Sequence, residues 1–220
     1  DIYLATISGD LDSIVETAVC TDTSVQNSPV IDAGSDENVI VAWEDARLGT
    51  TAVYIADKSH NWSPIQISQN SSEPDIALNY QQTRVHAAWS SGGDIYYAEI
   101  PLPLSAKSVT AVNLVDDTSG AAQSSPSVTS VYTNGKEKTF VAWSDSRNNS
   151  GNDDNDIYFA SVSNSASTNM LATGDASLTN QGVPVIGASE DGAPYILFQD
   201  NSDSGKTIQM SCATVIKSAL

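Results

Sequence analysis

Four times along this chain an apolar run ends in an aromatic residue, crosses a polar turn and is followed by a second apolar run. The fullest copy reads Phe140-Val141-Ala142-Trp143, then Ser144-Asp145-Ser146-Arg147, an acidic loop, and Asp156-Ile157-Tyr158-Phe159-Ala160. An earlier copy reads Val39-Ile40-Val41-Ala42-Trp43-Glu44-Asp45-Ala46-Arg47, then Ala52-Val53-Tyr54-Ile55-Ala56. A third has His86-Ala87-Ala88-Trp89 and Asp94-Ile95-Tyr96-Tyr97-Ala98. The last and most worn has Tyr195-Ile196-Leu197-Phe198, then Thr207-Ile208-Gln209-Met210. Pro29, Pro74, Pro126 and Pro184 each precede one copy; the Ser-Pro-Ser-Val phrase around Pro126 reads as a turn signal, while Pro29-Val-Ile, Pro74-Asp-Ile-Ala-Leu and 183–188 read as strands. A repeat of this kind dominates the folding problem, because each unit must bury its faces against its neighbours.

The first run of each copy is apolar at successive positions, as in a strand buried on both faces. The second carries β-branched and aromatic residues that suit a pleated surface. Gly, Asn, Asp and Ser fill the gaps, as turns require. No segment shows a capped helical period. The units run 23–68, 69–118 and 119–179, each with four strand candidates, flanked by a partial unit at 1–22 and another at 180–220. Short strands in repeated units of about 45–60 residues predict an all-β fold, a β-propeller of four-stranded blades forming one domain. A β-sandwich also provides many short strands, but does not explain the internal copies. The propeller predicts equivalent buried places for Trp43, Trp89, Trp143 and Phe198.

Charge narrows the partners. With 27 acidic and 9 basic residues the net charge is −18, which repels phosphate backbones and anionic membranes. No apolar run approaches the roughly eighteen residues of a membrane span, so neither nucleic-acid binding nor membrane insertion is expected. The chain begins at Asp1, inside a strand-like phrase, as a processed or trimmed protein would. The sequons at Asn61, Asn70 and Asn148 accord with export, Asn61 being a poor acceptor because Pro64 follows it.

Cys20 and Cys212 are too few for a structural zinc site and leave a disulfide or two buried thiols. Residues 1–9 read as the third strand of a blade and 14–20 as a fourth, while the last unit lacks a fourth strand. The ring is therefore expected to close with residues 14–20 beside the last blade, bringing Cys20 and Cys212 within disulfide reach. The acidic loop supplies a candidate calcium set, Asp145, Asn149, Asp153, Asp154 and Asp156, since calcium takes six to eight oxygen ligands from flexible loops. Its spacing is not that of an EF-hand, and a solvated acidic turn is the plainer reading.

The phrase Pro-x-Ile/Val, Val-Ala-Trp-x-Asp-x-Arg, Asp-Ile-Tyr-x-Ala resembles the blades of sialidase-like (BNR-type) propeller repeats of exported prokaryotic proteins. The resemblance spans nearly the whole chain and implies fold more than function. Sialidases of that kind hold a carboxylate with three arginines. This chain has only Arg47, Arg84 and Arg147, and Arg84 opens its strand whereas the other two follow theirs. The Asp-box pattern is also missing, Asp57 to Trp62 being at most a remnant. Asp45–Arg47 and Asp145–Arg147 read as turn-stabilising pairs, and nothing selects a catalytic pair among the acids, so no catalytic residue is assigned.

The reading is an extracellular or cell-surface, non-catalytic propeller that recognises a glycan or a surface protein. Tyr80, Tyr97 and Trp62 are the aromatics that could stack on sugars if they do not pack between blades. The alternatives are a structural subunit assembled from copies of itself by strand addition, and a fragment or remnant of a sialidase-like glycoside hydrolase.

Overall fold

Among its described residues the chain forms seventeen strands in five antiparallel sheets. The computed structural model describes residues 1–35, 38–105, 109–113, 120–148, 154–162, 169–172, 179–202 and 205–212. An N-terminal hairpin pairs β1 (Ile2–Ile7) with β2 (Ile14–Cys20). The first blade is β3 (Gln26–Ala33), β4 (Val39–Asp45), β5 (Ala52–Asp57) and β6 (Ile65–Gln66). The second is β7 (Ser71–Leu78), β8 (Arg84–Ser91), β9 (Asp94–Pro101) and β10 (Val112–Asn113). The third is β11 (Gln123–Thr133), β12 (Lys136–Asp145), β13 (Asp156–Val162) and β14 (Asn169–Leu171). The last holds three strands, β15 (Asn180–Ala188), β16 (Pro194–Ser202) and β17 (Gly205–Cys212). Among the described residues the only helical turn is a 3₁₀ turn at Lys58–His60, and no helix is long and apolar enough to cross a membrane. The fold is a β-propeller.

Strands meander outward within each blade, and the first strands of successive blades lie against one another: β3 on β7, β7 on β11, β11 on β15. The second strands β4, β8 and β12 are buried on both faces, and their alternation divides them cleanly, whereas β16 exposes Tyr195 and Leu197 on one face. Trp43 packs back on the hairpin with Ile2, Val19 and Cys20, while Ile40 and Ala42 face the second blade. Trp89 packs back on the first blade, Trp143 on the second and Phe198 on the third. Their exposures of 0, 2, 0 and 5% place all four in equivalent buried sites. One aromatic ring per blade thus wedges into the face of the blade before it.

Pro126 is not in a turn, and all four prolines share one setting. They lie inside the first strands, where the ladder slips between Asn27 and Val30, Ser72 and Asp75, Ser124 and Ser127, and Gly182 and Val185. In each blade two residues, Ser28-Pro29, Glu73-Pro74, Ser125-Pro126 or Val183-Pro184, oppose one aromatic residue of the second strand. The residue before each proline has a left-handed φ of 50, 54, 54 or 51°. This is a β-bulge, a place where a sheet accepts a residue with no N–H to donate. A β-branched residue at positive φ is unusual, so Val183 carries local strain that the other three bulges avoid.

The expected closure is absent. β2 pairs with β1 and not with β17, so the termini do not share a blade among the described residues. Cys20 is a buried free thiol, and Arg47 Nη2 donates to its sulfur at 3.0 Å. The Cys20–Cys212 disulfide is therefore not formed; the side chain of Cys212 lies outside what is described. The physical reason is that β1 offers β2 an immediate antiparallel partner across a short turn, which needs no long-range strand pairing.

Candidate active site

Each innermost strand has one edge with no strand beside it, and the N–H groups on that edge need acceptors. Acidic side chains of the preceding blade supply them. Glu44 Oε1 accepts from Glu73 N at 2.7 Å, and Glu73 Oε2 accepts in turn from Ser125 N at 2.8 Å. Asp32 Oδ2 accepts from Leu78 N at 2.6 Å. Asp75 Oδ2 accepts from Val128 N at 2.7 Å and from the Ser127 hydroxyl at 3.1 Å. Ser127 Oγ continues the series, accepting from Ile186 N at 3.3 Å. Carboxylates thus latch blade to blade near the axis. Glu73→Ala should cost about 1–2 kcal/mol, the scale of a lost charge-assisted hydrogen bond, whereas Glu73→Gln keeps an acceptor for Ser125 N and should cost less. Urea unfolding of both variants checks this, and equal losses would reject the latch.

Asp75 stands apart among these acids. Burial raises its pKa above the ordinary aspartate range, against the lowering effect of the bonds from Val128, Ser127 and Ile76, and the nearby Asp32 charge raises it further. Asp32 is half-buried on the neighbouring inner strand. A carboxyl whose pKa is raised by burial, beside a second carboxyl, is an arrangement that general acid–base work uses. Neither residue stood out in the sequence. The usable signal is positional: Asp75 directly follows, and Asp32 lies three residues after, the proline of its bulge.

The residues singled out from the sequence have other duties. Asp45 Oδ2 accepts from the Trp43 indole N–H at 3.0 Å and from Arg47 Nη2 at 2.5 Å, and Oδ1 accepts from Arg47 N at 2.9 Å. Asp145 repeats this with Trp143 and Arg147. The guanidinium carbons lie 4.4 and 4.1 Å above the Tyr54 and Tyr158 rings. Each clamp ties strand two, the turn and strand three together, as the turn-stabilising reading expected. Burial pushes the Asp45 pKa up, but Arg47 and Trp43 outweigh it and hold it down at about 2.

The third arginine, Arg84, pairs with Glu99, so the three do not converge. In the acidic loop both Asp145 oxygens are engaged by the clamp, and Asp156 Oδ2 accepts from Asn148 Nδ2 at 2.8 Å. Asp154 is half-buried, while Asn149 and Asp153 lie outside the described residues. Asn70 and Asn148 are exposed, the amide of Asn148 also donating to the Tyr158 hydroxyl. Of the candidate sugar-stacking aromatics, Tyr97 is buried and Trp62 packs against the hairpin cluster. Tyr80 is exposed and stacks on Tyr132, with ring centroids 5.5 Å apart.

Two further clusters involve histidine. Ser59, His60 and Asp57 look like a nucleophile, a base and an orienting acid, but Ser59 Oγ and Asp57 Oδ1 both meet His60 Nδ1, at 3.0 and 2.8 Å. A relay needs the two partners on opposite ring nitrogens, so this is a capped turn. Burial works to raise the Asp57 pKa, yet the bonds from Ser59 and His60 hold it below the usual value. Asp57 and Ser59 also line a cavity of about 170 Å³ shared with Gln82 and Pro103. The second cluster surrounds His86, which is fully buried between the second and third blades. Its Nε2 meets Glu137 Oε1 at 2.6 Å and its Nδ1 meets the Tyr97 hydroxyl at 2.6 Å. Burial raises the Tyr97 pKa well above the usual phenol value.

No family model matches the chain, and no curated protein matches it. Solved structures do share the fold. A xylan β-1,4-xylosidase from Bacillus halodurans aligns over 99% of this chain and 51% of its own, at 9% identity and a TM-score of 0.54. A thermostable family-43 glycoside hydrolase aligns over 87% and 72%, at 12% identity and 0.53. TolB from Acinetobacter baumannii aligns over 96% and 48%, at 15% identity and 0.53. These likenesses establish the propeller. They also correct two expectations. The glycoside hydrolases that share the fold are of the family-43 and xylosidase kind rather than sialidases. The expectation of a non-catalytic propeller is corrected as well, since the solved structures that share the fold include a xylosidase and a family-43 glycoside hydrolase.

Proposed function

We propose that this chain belongs to a glycoside-cleaving propeller that works outside the cell, with Asp75 as general acid and Asp32 as its carboxylate partner. The observation that carries the reading is the Asp75 carboxyl. It is half-buried on an innermost strand, its pKa is raised, and a second carboxyl lies nearby on the neighbouring inner strand. Glycoside hydrolysis uses such a pair: one carboxyl protonates the leaving oxygen and the other acts as base or nucleophile. A strongly acidic surface suits an exported enzyme acting on neutral sugars. The fold likeness to a xylosidase and a family-43 hydrolase makes xylosides and arabinosides the first substrates to test.

Turnover of p-nitrophenyl β-xyloside and α-L-arabinofuranoside is the measurement. The wild-type chain should release nitrophenol, and Asp75→Asn should lower kcat at least about 100-fold, the lower end for a lost general acid. The amide oxygen introduced by that substitution still accepts from Val128 N, so the melting temperature should stay close to wild type. No release from either glycoside by the wild-type chain, or full activity in Asp75→Asn, would overturn the assignment.

A further inference from the structure

Away from the axis, where β8 begins and β9 ends, the side chains of His86, Glu99 and Glu137 converge. His86 and Glu99 are cross-strand partners in the second blade, and Glu137 reaches in from β12 of the third. One ligand atom from each lies within 4.8 Å of the other two. We propose that these three residues form a binding site for a divalent transition metal of the zinc class.

The argument rests on what the remaining polar atoms of the three side chains do. His86 Nδ1 is engaged by the Tyr97 hydroxyl at 2.6 Å, leaving Nε2 to point at the convergence. Glu137 Oε2 accepts from Asn79 Nδ2 at 3.1 Å, leaving Oε1 on the inner side. Glu99 Oε1 is held by Arg84 Nη1 at 2.5 Å, leaving the second oxygen. Each ligand is therefore oriented through its other atom, as metal ligands are held by their surroundings. One imidazole and two carboxylates form a donor set for zinc that leaves a fourth position for water. The His86 ring is 1% exposed, whereas Glu137 and Glu99 are 22 and 39% exposed, so the carboxylates form the mouth by which an ion enters.

Without metal, Nε2–H donates to Glu137 Oε1. A metal takes the Nε2 lone pair, so the ring proton moves to Nδ1 and is donated to the Tyr97 oxygen. The Tyr97 hydroxyl in turn has Thr139 as its hydrogen-bond partner. No proton need leave the protein.

Chelator-stripped protein titrated with zinc chloride in a calorimeter should bind one zinc per chain above the weak background of the surface acids. Cobalt in place of zinc should give the visible absorption of a four- or five-coordinate ion. Glu99→Gln lies at the mouth, outside the packed interior, and should weaken zinc binding at least about 10-fold while leaving the fold intact. His86→Gln should abolish the cobalt spectrum; if that variant does not fold, Glu137→Gln takes its place. Identical zinc isotherms for the wild type and Glu99→Gln, or a purely six-coordinate cobalt spectrum, would overturn the site.

Discussion

Trp143→Ala is expected to lower folding stability by about 3–5 kcal/mol, the range for deleting a buried Trp or Phe side chain. Trp143 has no solvent exposure and packs on Ala77, Ala88, Ile95 and Tyr97 of the preceding blade. Alanine would leave a cavity at the joint between two blades. It would also remove the indole N–H that Asp145 accepts at 2.9 Å, inside a clamp whose carboxylate is fully buried. Trp143→Phe keeps most of the volume and loses only the donor, so it should fall between wild type and alanine. Against a typical total of about 5–15 kcal/mol, the alanine variant loses a large share. Equilibrium urea unfolding measures it, and a loss under about 1 kcal/mol would mean that the aromatic wedge does not hold the blades together.

The second large effect is a pH dependence. Asp45 falls from an ordinary 3.8 to about 2 on folding. A depressed carboxyl contributes stability that is fully present above its unfolded pKa and disappears as pH falls through the folded value. A shift of this size corresponds to about 2 kcal/mol, since one unit is about 1.4 kcal/mol. Wild type should therefore exceed Asp45→Asn by roughly that amount at pH 6, and the gap should close between about pH 4 and pH 2. Asp75 acts with the opposite sign: its raised pKa means that its charge opposes folding at neutral pH, and protonation relieves that cost. A pH-independent gap between wild type and Asp45→Asn would contradict the clamp.

Much of the architecture was legible because it recurs locally. A run such as Val39-Ile40-Val41-Ala42-Trp43 can only be a strand buried on both faces, and four copies of it define blades. The Asp–Arg clamps were legible for the same reason, being complete within five residues of Trp43 or Trp143. The bulge at Pro126 was misread as a turn because proline and a small polar residue mark both, and the extra residue in the other first strands shows only in the ladder register.

The axial carboxylates were hidden by their abundance and by their partners. Asp75 meets Val128 across 53 positions and Asp32 meets Leu78 across 46, separations that no motif spans. The His86–Glu137 contact crosses 51. The closure and the disulfide failed for a related reason. Strand character can be read from residue pattern, but which strand a terminal segment pairs with depends on the loop entropy of every competing partner.

The backward-pointing aromatic gives every blade a polarity. One face offers a plug and the other a socket, as in a row of identical couplings facing the same way. The joints between the first and second and between the second and third blades share the aromatic wedge and a carboxylate on the N–H before the bulge proline, Glu44 of β4 on Glu73 N and Glu73 of the β7 bulge on Ser125 N. Such a joint does not count its members. Excising the second blade would bring the socket formed by Ile40 and Ala42 against the plug of Trp143, and Glu44 within the same relation to Ser125 that it now has to Glu73. Array length is thus a variable that this architecture leaves open to duplication and loss, with the chemistry at any one joint free to diverge while its neighbours keep the stack in register.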